Sequence, residues 1–562
     1  MYVDAFFDRQ RDRIHIVERI NGQRQYQEFP AKYVFYYDDP KGKFKSIFGN
    51  SVSRIQCRSG KDFKREKALH YGTKTYESDI NPVFRCLEEN YLGKDAPNLQ
   101  VAFFDIEVDF DKDRGFSSPE DPFTAVTAIT VYLQWIDKLV TLATPPKGVS
   151  QEEQKRLLEK FDDTFFFERE EDLLKTFLDL IDDADILSGW NSEGYDIPYM
   201  VNRIKSVLSK DDTRRFCLFG QFPKQRTFER FGKENITFDL IGRVHMDYMQ
   251  LYRKYTYHEM HSYSLDAIGE YELGETKVAY TGTLDQLYNN DFEKFIAYNR
   301  QDTLLLGNLD KKLKFIDLSN ELAHANTVLL ATTMGAVAVT EQAIINEAHE
   351  RGFVVPDRKR HEGNTAAAGA YVAYPKKGLH DWIGAIDINS LYPSAIRALN
   401  MDPATIVGQL RPDYSDAHVN EAMGNKKSFA EAWEGKFGST EYQMVMEQDT
   451  ADEIVVEWED ARSDEILTGA QIYKKIFLEG NPWMLSANGT IFTYEHKGII
   501  PGLLERWYRE RQEMQKTKGE QTTEEGKAFW DKRQLVKKIN LNSLYGAILN
   551  PGCRFFDKRI GQ

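Results

Sequence analysis

Apolar runs of strand length and amphipathic stretches of helix length alternate along most of this chain. Residues 1 to about 98 read as short β runs between turns, clearest at YVFYY (33–37), and close on the polar LGKDAPN segment. VAFFDIEVDF (101–110) and TAVTAITVYLQW (124–135) are apolar runs of strand length. EEDLLKTFLDLIDDA (170–184) spaces its apolar residues for one packed helix face. Strands followed by helices in this order predict an α/β domain over 99–310. A helical connector is expected over 311–360, rejoining the N-terminal domain, and then a further strand in WIGAIDINSLYPS (382–394). The stretch 412–465 lacks clean periodicity and reads as an insertion with a solvated surface. Pro501 to Lys516 predicts a helix with proline at its start. TKGEQTTEEG (517–526) predicts a turn, and Lys527 to Tyr545 a second helix, so the pair forms a helical hairpin.

At 562 residues the chain is long enough for several domains. Its 41% hydrophobic and 29% charged residues are those of a soluble globular protein. The opening MYVDAFFDRQRDR has no apolar targeting segment, and no later stretch reads as a membrane span. Four scattered cysteines, Cys57, Cys86, Cys217 and Cys553, form no C-x-x-C pair, which argues against a disulfide framework or zinc site and for a reducing compartment. The net charge of −15 is unevenly spread. Residues 412–465 carry four basic and fifteen acidic residues, whereas 501–562 carry thirteen basic and eight acidic. Local charge governs phosphate contact, so the total does not exclude nucleic acid as a partner.

Two acids stand out on the first apolar run. Asp105 and Glu107 are two residues apart, so strand geometry points both to one side. Paired acids on a buried strand are costly without a cation between them, and hard oxygen ligands suit Mg²⁺ or Mn²⁺. SGWNSEGYDIPYMVNR adds Asp196; IAYNRQDTLLL adds Tyr298 and Asp302, four apart and on one helix face. Four carboxylates and a tyrosine meet the needs of two-metal phosphodiester hydrolysis, with ions roughly 4 Å apart.

These three segments resemble, in order and spacing, the Exo I, Exo II and Exo III motifs of proofreading exonucleases with the ribonuclease-H-like (DnaQ-like) fold. The resemblance implies that Asp105, Glu107, Asp196 and Asp302 hold the metals and that Tyr298 orients the attacking water. Downstream, AIDINSLYPS resembles motif A of family B DNA polymerases, of the kind found in tailed, T4-like bacteriophages. By that resemblance Asp387 is a palm metal ligand. The backbone from Ile388 through Ser390 to Leu391 contacts the triphosphate, and Tyr392 lies beneath the incoming sugar, where its ring excludes a 2′-hydroxyl. GAYV (369–372) is similar to the motif that links the two regions and contacts template.

KKINLNSLYGA resembles motif B, and places Lys538, Asn542 and Tyr545 on one helix face, with Gly546 permitting close approach. A lysine there can bind phosphate. PGLLERWYRERQEMQK resembles the first fingers helix, with Arg511 as its phosphate-gripping arginine; Gln515 stands where the family has a lysine, and Lys516 is one residue off that face.

The resemblance implies a multidomain α/β protein: a mixed β N-terminal domain (1–98, with 311–360 returning), the exonuclease (99–310) and an α+β palm (361–499, with the acidic insertion at 412–465). Fingers (500–547) and the start of the remaining palm (548–562) complete it. Motif C, which supplies the second palm carboxylate, and a thumb are not among these residues. The expected function is therefore the N-terminal portion of a DNA-directed DNA polymerase, complete for 3′→5′ exonuclease, with synthesis dependent on a C-terminal polypeptide carrying motif C and thumb. The alternatives are a stand-alone exonuclease and a non-catalytic primer-template scaffold. Expected partners are primer-template DNA, dNTPs and a sliding clamp, with no membrane, in the cytoplasm of an infected bacterial host.

Overall fold

A computed structural model describes residues 1–562 apart from 231, 257, 360–374, 389, 434–437, 450, 461–462 and 562, and the side chains at 230, 233, 429 and 430. The GAYV segment therefore lies outside the described residues. The chain divides into two compact units: residues 1–32 with 81–334, and residues 33–80 with 335–562.

The first unit is built on a six-stranded mixed sheet. Its order is Thr164–Phe166, Lys138–Ala143, Val126–Leu133, Val101–Val108, Ile186–Gly189, Val244–Asp247. Val126–Leu133 runs antiparallel to both neighbours, and the other pairings are parallel. All eight residues of Val126–Leu133 are buried, as expected of a central strand covered on both faces. Ala102, Phe104 and Ile106 pack into one core with Leu173, Leu174 and Phe177 of helix Glu170–Leu180. The alternate positions, among them Asp105 and Glu107, face the other way, toward helix Phe292–Leu313. Gly307 of that helix sits so close to Tyr132 that an added Cβ would come within 2.7 Å of the ring. This close approach seats the helix on the sheet.

An antiparallel sheet, Tyr2–Asp8, Arg13–Ile20 and Gln23–Pro30, belongs to the same unit. The Arg19 guanidinium donates to both carboxylate oxygens of Asp185, at 2.9 and 2.6 Å, and the Tyr2 hydroxyl donates to the Val328 carbonyl at 2.7 Å. Residues 1–98 are thus not one domain. The first 32 pack with the six-stranded sheet, whereas Tyr33–Asp38, Phe44–Ser46, Ser51–Cys57 and Thr75–Tyr76 form a sheet with Phe353–Val354 in the second unit.

The second unit also holds a five-stranded sheet, ordered Glu465–Thr468, Glu453–Trp458, Ile406–Leu410, Thr490–Thr493, Trp483–Leu485. The long helices Ile499–Glu520 and Glu524–Ile548 pack against each other and against Ala336–Glu350. The hairpin is tighter than its sequence implies: the first helix runs to Glu520, and Thr523 caps the second by accepting from Gly526 N at 3.1 Å.

Two expectations are corrected here. The acidic stretch is not a solvated insertion: it contributes Glu453–Trp458 to the sheet, and Met444, Val445, Ile454 and Val456 to a core. Its Glu441 is buried and accepts from Tyr414 N, Ser415 N and the Ser415 hydroxyl, so its oxygens are satisfied inside. WIGAIDINSLYPS is not a strand either. Residues 383–388 form no regular element, and Leu391–Ala398 is a helix entered through a left-handed Ser390. A strand needs a neighbour for its backbone hydrogen bonds, and none of the described strands pairs with this run.

Candidate active site

Four carboxylates and a lysine gather where the strand Val101–Val108, the start of helix Asp196–Val207 and the helix Phe292–Leu313 meet. Glu107, Asp196 and Asp302 are 8%, 5% and 2% exposed, so their charges lie out of reach of most solvent. Asn299, one turn before Asp302, donates to Asp105 Oδ2 at 3.0 Å and is itself held by the Thr130 hydroxyl at 2.5 Å. Asp196 opens its helix and accepts from Ile106 N at 3.4 Å, between the two acids of the strand.

Burial raises every one of these acids, and repulsion within the cluster adds to it at Asp105 and Glu107. Asp105 is held well above the usual carboxylate range by burial and by Glu107. Glu107 is pushed up to about 8 by burial and by Asp302. Burial lifts Asp196 to about 7 against two backbone N–H donors, and burial raises Asp302 although Lys277 opposes it. Such clusters of displaced acids mark functional sites.

Lys277, which the sequence reading missed, is the counter-charge. Its ammonium lies 2.5 Å from Asp302 Oδ2 and 3.2 Å from the Tyr298 hydroxyl. Burial alone would lower its pKa, but Asp302 and Tyr298 outweigh that and raise it. Its placement follows from packing. At Gly269, in helix Leu265–Leu273, an added Cβ would stand 2.7 Å from Leu305 Cδ2, so that helix lies tight against Phe292–Leu313. The chain then turns at the left-handed Gly274, and Lys277 N donates to Asp266 Oδ1 at 2.8 Å. A lone lysine in ETKVAY carries no sequence signal of this. Tyr298 lies half-buried beside the cluster, its ring edge-to-face with Tyr280.

The donor set suits a hard divalent ion, since it is all oxygen and strongly negative. Asp302 Oδ1 is buried with no hydrogen-bond partner, a vacant acceptor of the kind a cation satisfies. Among the described residues, however, no group of three or more His, Cys, Asp or Glu side chains could hold a metal as it stands. The Lys277 ammonium instead stands against Asp302.

The second predicted site is less assembled. Asp387 is exposed on the irregular run, and Ile388 is 60% exposed. Leu391 and Tyr392 begin the helix Leu391–Ala398, which packs against both long helices of the hairpin. The Tyr392 and Tyr545 rings lie parallel, centroids 4.2 Å apart, so the structure does join these two predicted residues. The Tyr545 hydroxyl donates to the Gly561 carbonyl at 3.0 Å. Arg511 Nε donates to Gln534 Oε1 at 3.2 Å, with Gln515 Nε2 at 3.5 Å from the same oxygen. Lys538 is half-buried and Asn542 exposed on the second helix. Lys518, rather than Lys516, reaches across the hairpin, to Asp531 at 2.5 Å.

Two family models match: the DNA polymerase family B exonuclease domain over residues 55–268, and DNA polymerase family B over 326–560. The chain belongs to DNA polymerase family B. Among the relatives of this family B chain are two DNA-directed DNA polymerases. That of Escherichia phage RB69 is 29% identical over 57% of this chain and 37% of its own length. That of Enterobacteria phage T4 is 27% identical over 71% and 47%. The DNA polymerase delta catalytic subunit of Bos taurus is 27% identical over 68% of this chain and 30% of its own length. The chain thus spans under half the length of the relatives it matches. The exonuclease match stops short of Lys277, Tyr298 and Asp302, which join the carboxylate cluster by the geometry above. No described helix is long and apolar enough to cross a membrane.

Proposed function

We propose that the first site is a 3′→5′ proofreading exonuclease and that the chain is the exonuclease-bearing part of a DNA-directed DNA polymerase. The observation that supports this most is the burial of Glu107, Asp196 and Asp302 with Asp105 around one lysine, acids that stay ionised together only with a further cationic partner. Asp105, Glu107, Asp196 and Asp302 would hold Mg²⁺ or Mn²⁺ once the Lys277 ammonium yields Asp302. When bound, the ions activate water and stabilise the leaving oxygen of a phosphodiester. The chain's own residues do the rest. Asn299 fixes Asp105, Ile106 N steers Asp196, and Tyr298 and Lys277 offer donors to the water and the scissile phosphate.

On the polymerase side, Asp387 is the proposed palm carboxylate, Tyr392 the sugar gate, and Ile388, Ser390, Leu391, Arg511, Lys538, Asn542 and Tyr545 the dNTP contacts. These 562 residues hold no Asp-Thr-Asp motif, and Trp382, Ile383 and Ile386 are at least 76% exposed. Synthesis is therefore proposed to require a segment carrying motif C and thumb, in the same polypeptide or another, which would also cover this apolar run. Primer extension and primer degradation are measured with the 562-residue polypeptide, alone and with such a segment. Degradation alone and extension only on addition are expected. Metal-dependent extension by the polypeptide alone overturns the dependence, and no degradation overturns the exonuclease.

A further inference from the structure

Asp247 is a buried carboxylate that no step above uses. It ends the strand Val244–Asp247 and caps the helix Tyr248–Tyr255, accepting from Met249 N at 2.9 Å. An N-cap needs no more than that. Yet the same carboxylate also reaches across to the neighbouring loop: Oδ1 accepts from Asn191 N and Oδ2 from Glu193 N, both at 3.1 Å. Both oxygens are therefore committed to backbone donors, which sets Asp247 apart from the acids proposed to hold metal.

The loop it grips, residues 189–195, connects the strand Ile186–Gly189 to the helix that starts at Asp196. It is tightly wound. A Cβ on Gly189 would stand 2.7 Å from Ser192 Cβ and 3.0 Å from the Phe104 carbonyl oxygen, and Asn191 has φ of 62°. Left-handed backbone at a non-glycine residue is held only where its surroundings over-determine it. Here they do: Ser192 Oγ pairs with His245 Nε2 at 2.8 Å, and Trp190 Nε1 donates to the Tyr263 carbonyl at 3.0 Å. The loop then hands its geometry on, because the Ser192 carbonyl accepts Ile197 N at 3.0 Å and so sets the first turn that carries Asp196.

We propose that Asp247 is a positioning residue of the exonuclease, a clamp that holds the 189–195 loop so that Asp196 meets Asp105 and Glu107. The inference rests on the exonuclease reading of that site. His245 supports the same loop as a neutral ring, burial holding it far below the ordinary histidine range and Arg226 adding to that. Replacing an outer partner of this kind typically costs on the order of 10- to 100-fold in activity.

The test compares Asp247→Ala, Asp247→Asn and, as a control for simple loss of stability, Asp310→Asn. Asp310 is an equally buried acid of the same unit, bonded to the Tyr248 hydroxyl at 3.0 Å. Two readouts are taken: kcat and KM on single-stranded DNA, and amide hydrogen exchange at Asn191 and Glu193 without metal. Asp247→Ala should speed exchange at both amides and lower kcat on the order of 10- to 100-fold with KM little changed. Asp247→Asn, which keeps one acceptor oxygen, should recover part of both. Faster exchange with undiminished kcat overturns the proposal, and so does an equal fall of kcat in Asp310→Asn. Degradation that persists in Asp105→Ala with Glu107→Ala overturns the exonuclease reading instead, and the exchange data still report the clamp.

Discussion

The two candidate sites of this chain differ in how they are built. The four carboxylates proposed for the exonuclease sit on a central strand and two packed helices, and named bonds hold Asp105, Asp196 and Asp302. Asp387 sits on an exposed run with no regular structure, and its neighbours Ile386 and Ile388 are 97% and 60% exposed. The difference teaches that a motif becomes a site only when neighbouring elements close around it. The first motif has a sheet partner on each side, and the second has none among the described strands.

The sharpest way to break the comparison is Asp105→Ala with Glu107→Ala. Degradation of single-stranded DNA should fall by at least about a thousandfold, several kcal/mol of barrier. Stability of the metal-free protein should rise, because two buried acids whose ionisation the fold opposes are removed. Undiminished degradation removes the assignment.

Lys277→Met probes what makes the first site tolerable at rest. Removing one partner of a buried ion pair costs about 3 kcal/mol, toward the low end since the lysine is partly exposed. Thermal unfolding should show that loss without metal, and Mg²⁺ should restore much of it by taking over the counter-charge. Equal losses with and without Mg²⁺ would falsify the exchange of lysine for metal.

In the second site, Tyr392→Ala removes the ring stacked on Tyr545. In an extension-competent assembly, discrimination against ribonucleotides should drop about tenfold or more. An unchanged preference between dNTP and rNTP with active enzyme counts against the gate.

The smallest effect is a pH dependence confined to the first unit. Glu107 and Asp196 titrate near 8 and 7 in the fold, against about 4 in an unfolded chain. Between those limits the folded state holds more protons, so metal-free stability should fall as pH rises from about 4 to about 8. The shift should be a few °C in Tm, smaller in the Asp105→Ala, Glu107→Ala variant, which keeps Asp196, and reversed by Mg²⁺. A metal-free Tm that rises across this window contradicts the buried-acid account.

What the sequence determined by itself is local and periodic. A period of two on VAFFDIEV placed Asp105 and Glu107 on one side, and a period of 3.6 placed Tyr298 with Asp302 and Lys538 with Asn542 and Tyr545. The helical hairpin and two strands of the first sheet, Val101–Val108 and Val126–Leu133, were legible because burial writes itself into the spacing. Tertiary structure alone decided the rest. Lys277 reaches Asp302 only because Gly269 lets two helices touch, and Asp247 grips its loop across 54 residues of chain. The acidic stretch gives a strand and part of a core, where Glu441 accepts from three donors, and residues 383–388 stay irregular because no described strand pairs with them. Contacts between residues distant in sequence leave no period along the chain, so only the folded neighbours reveal them.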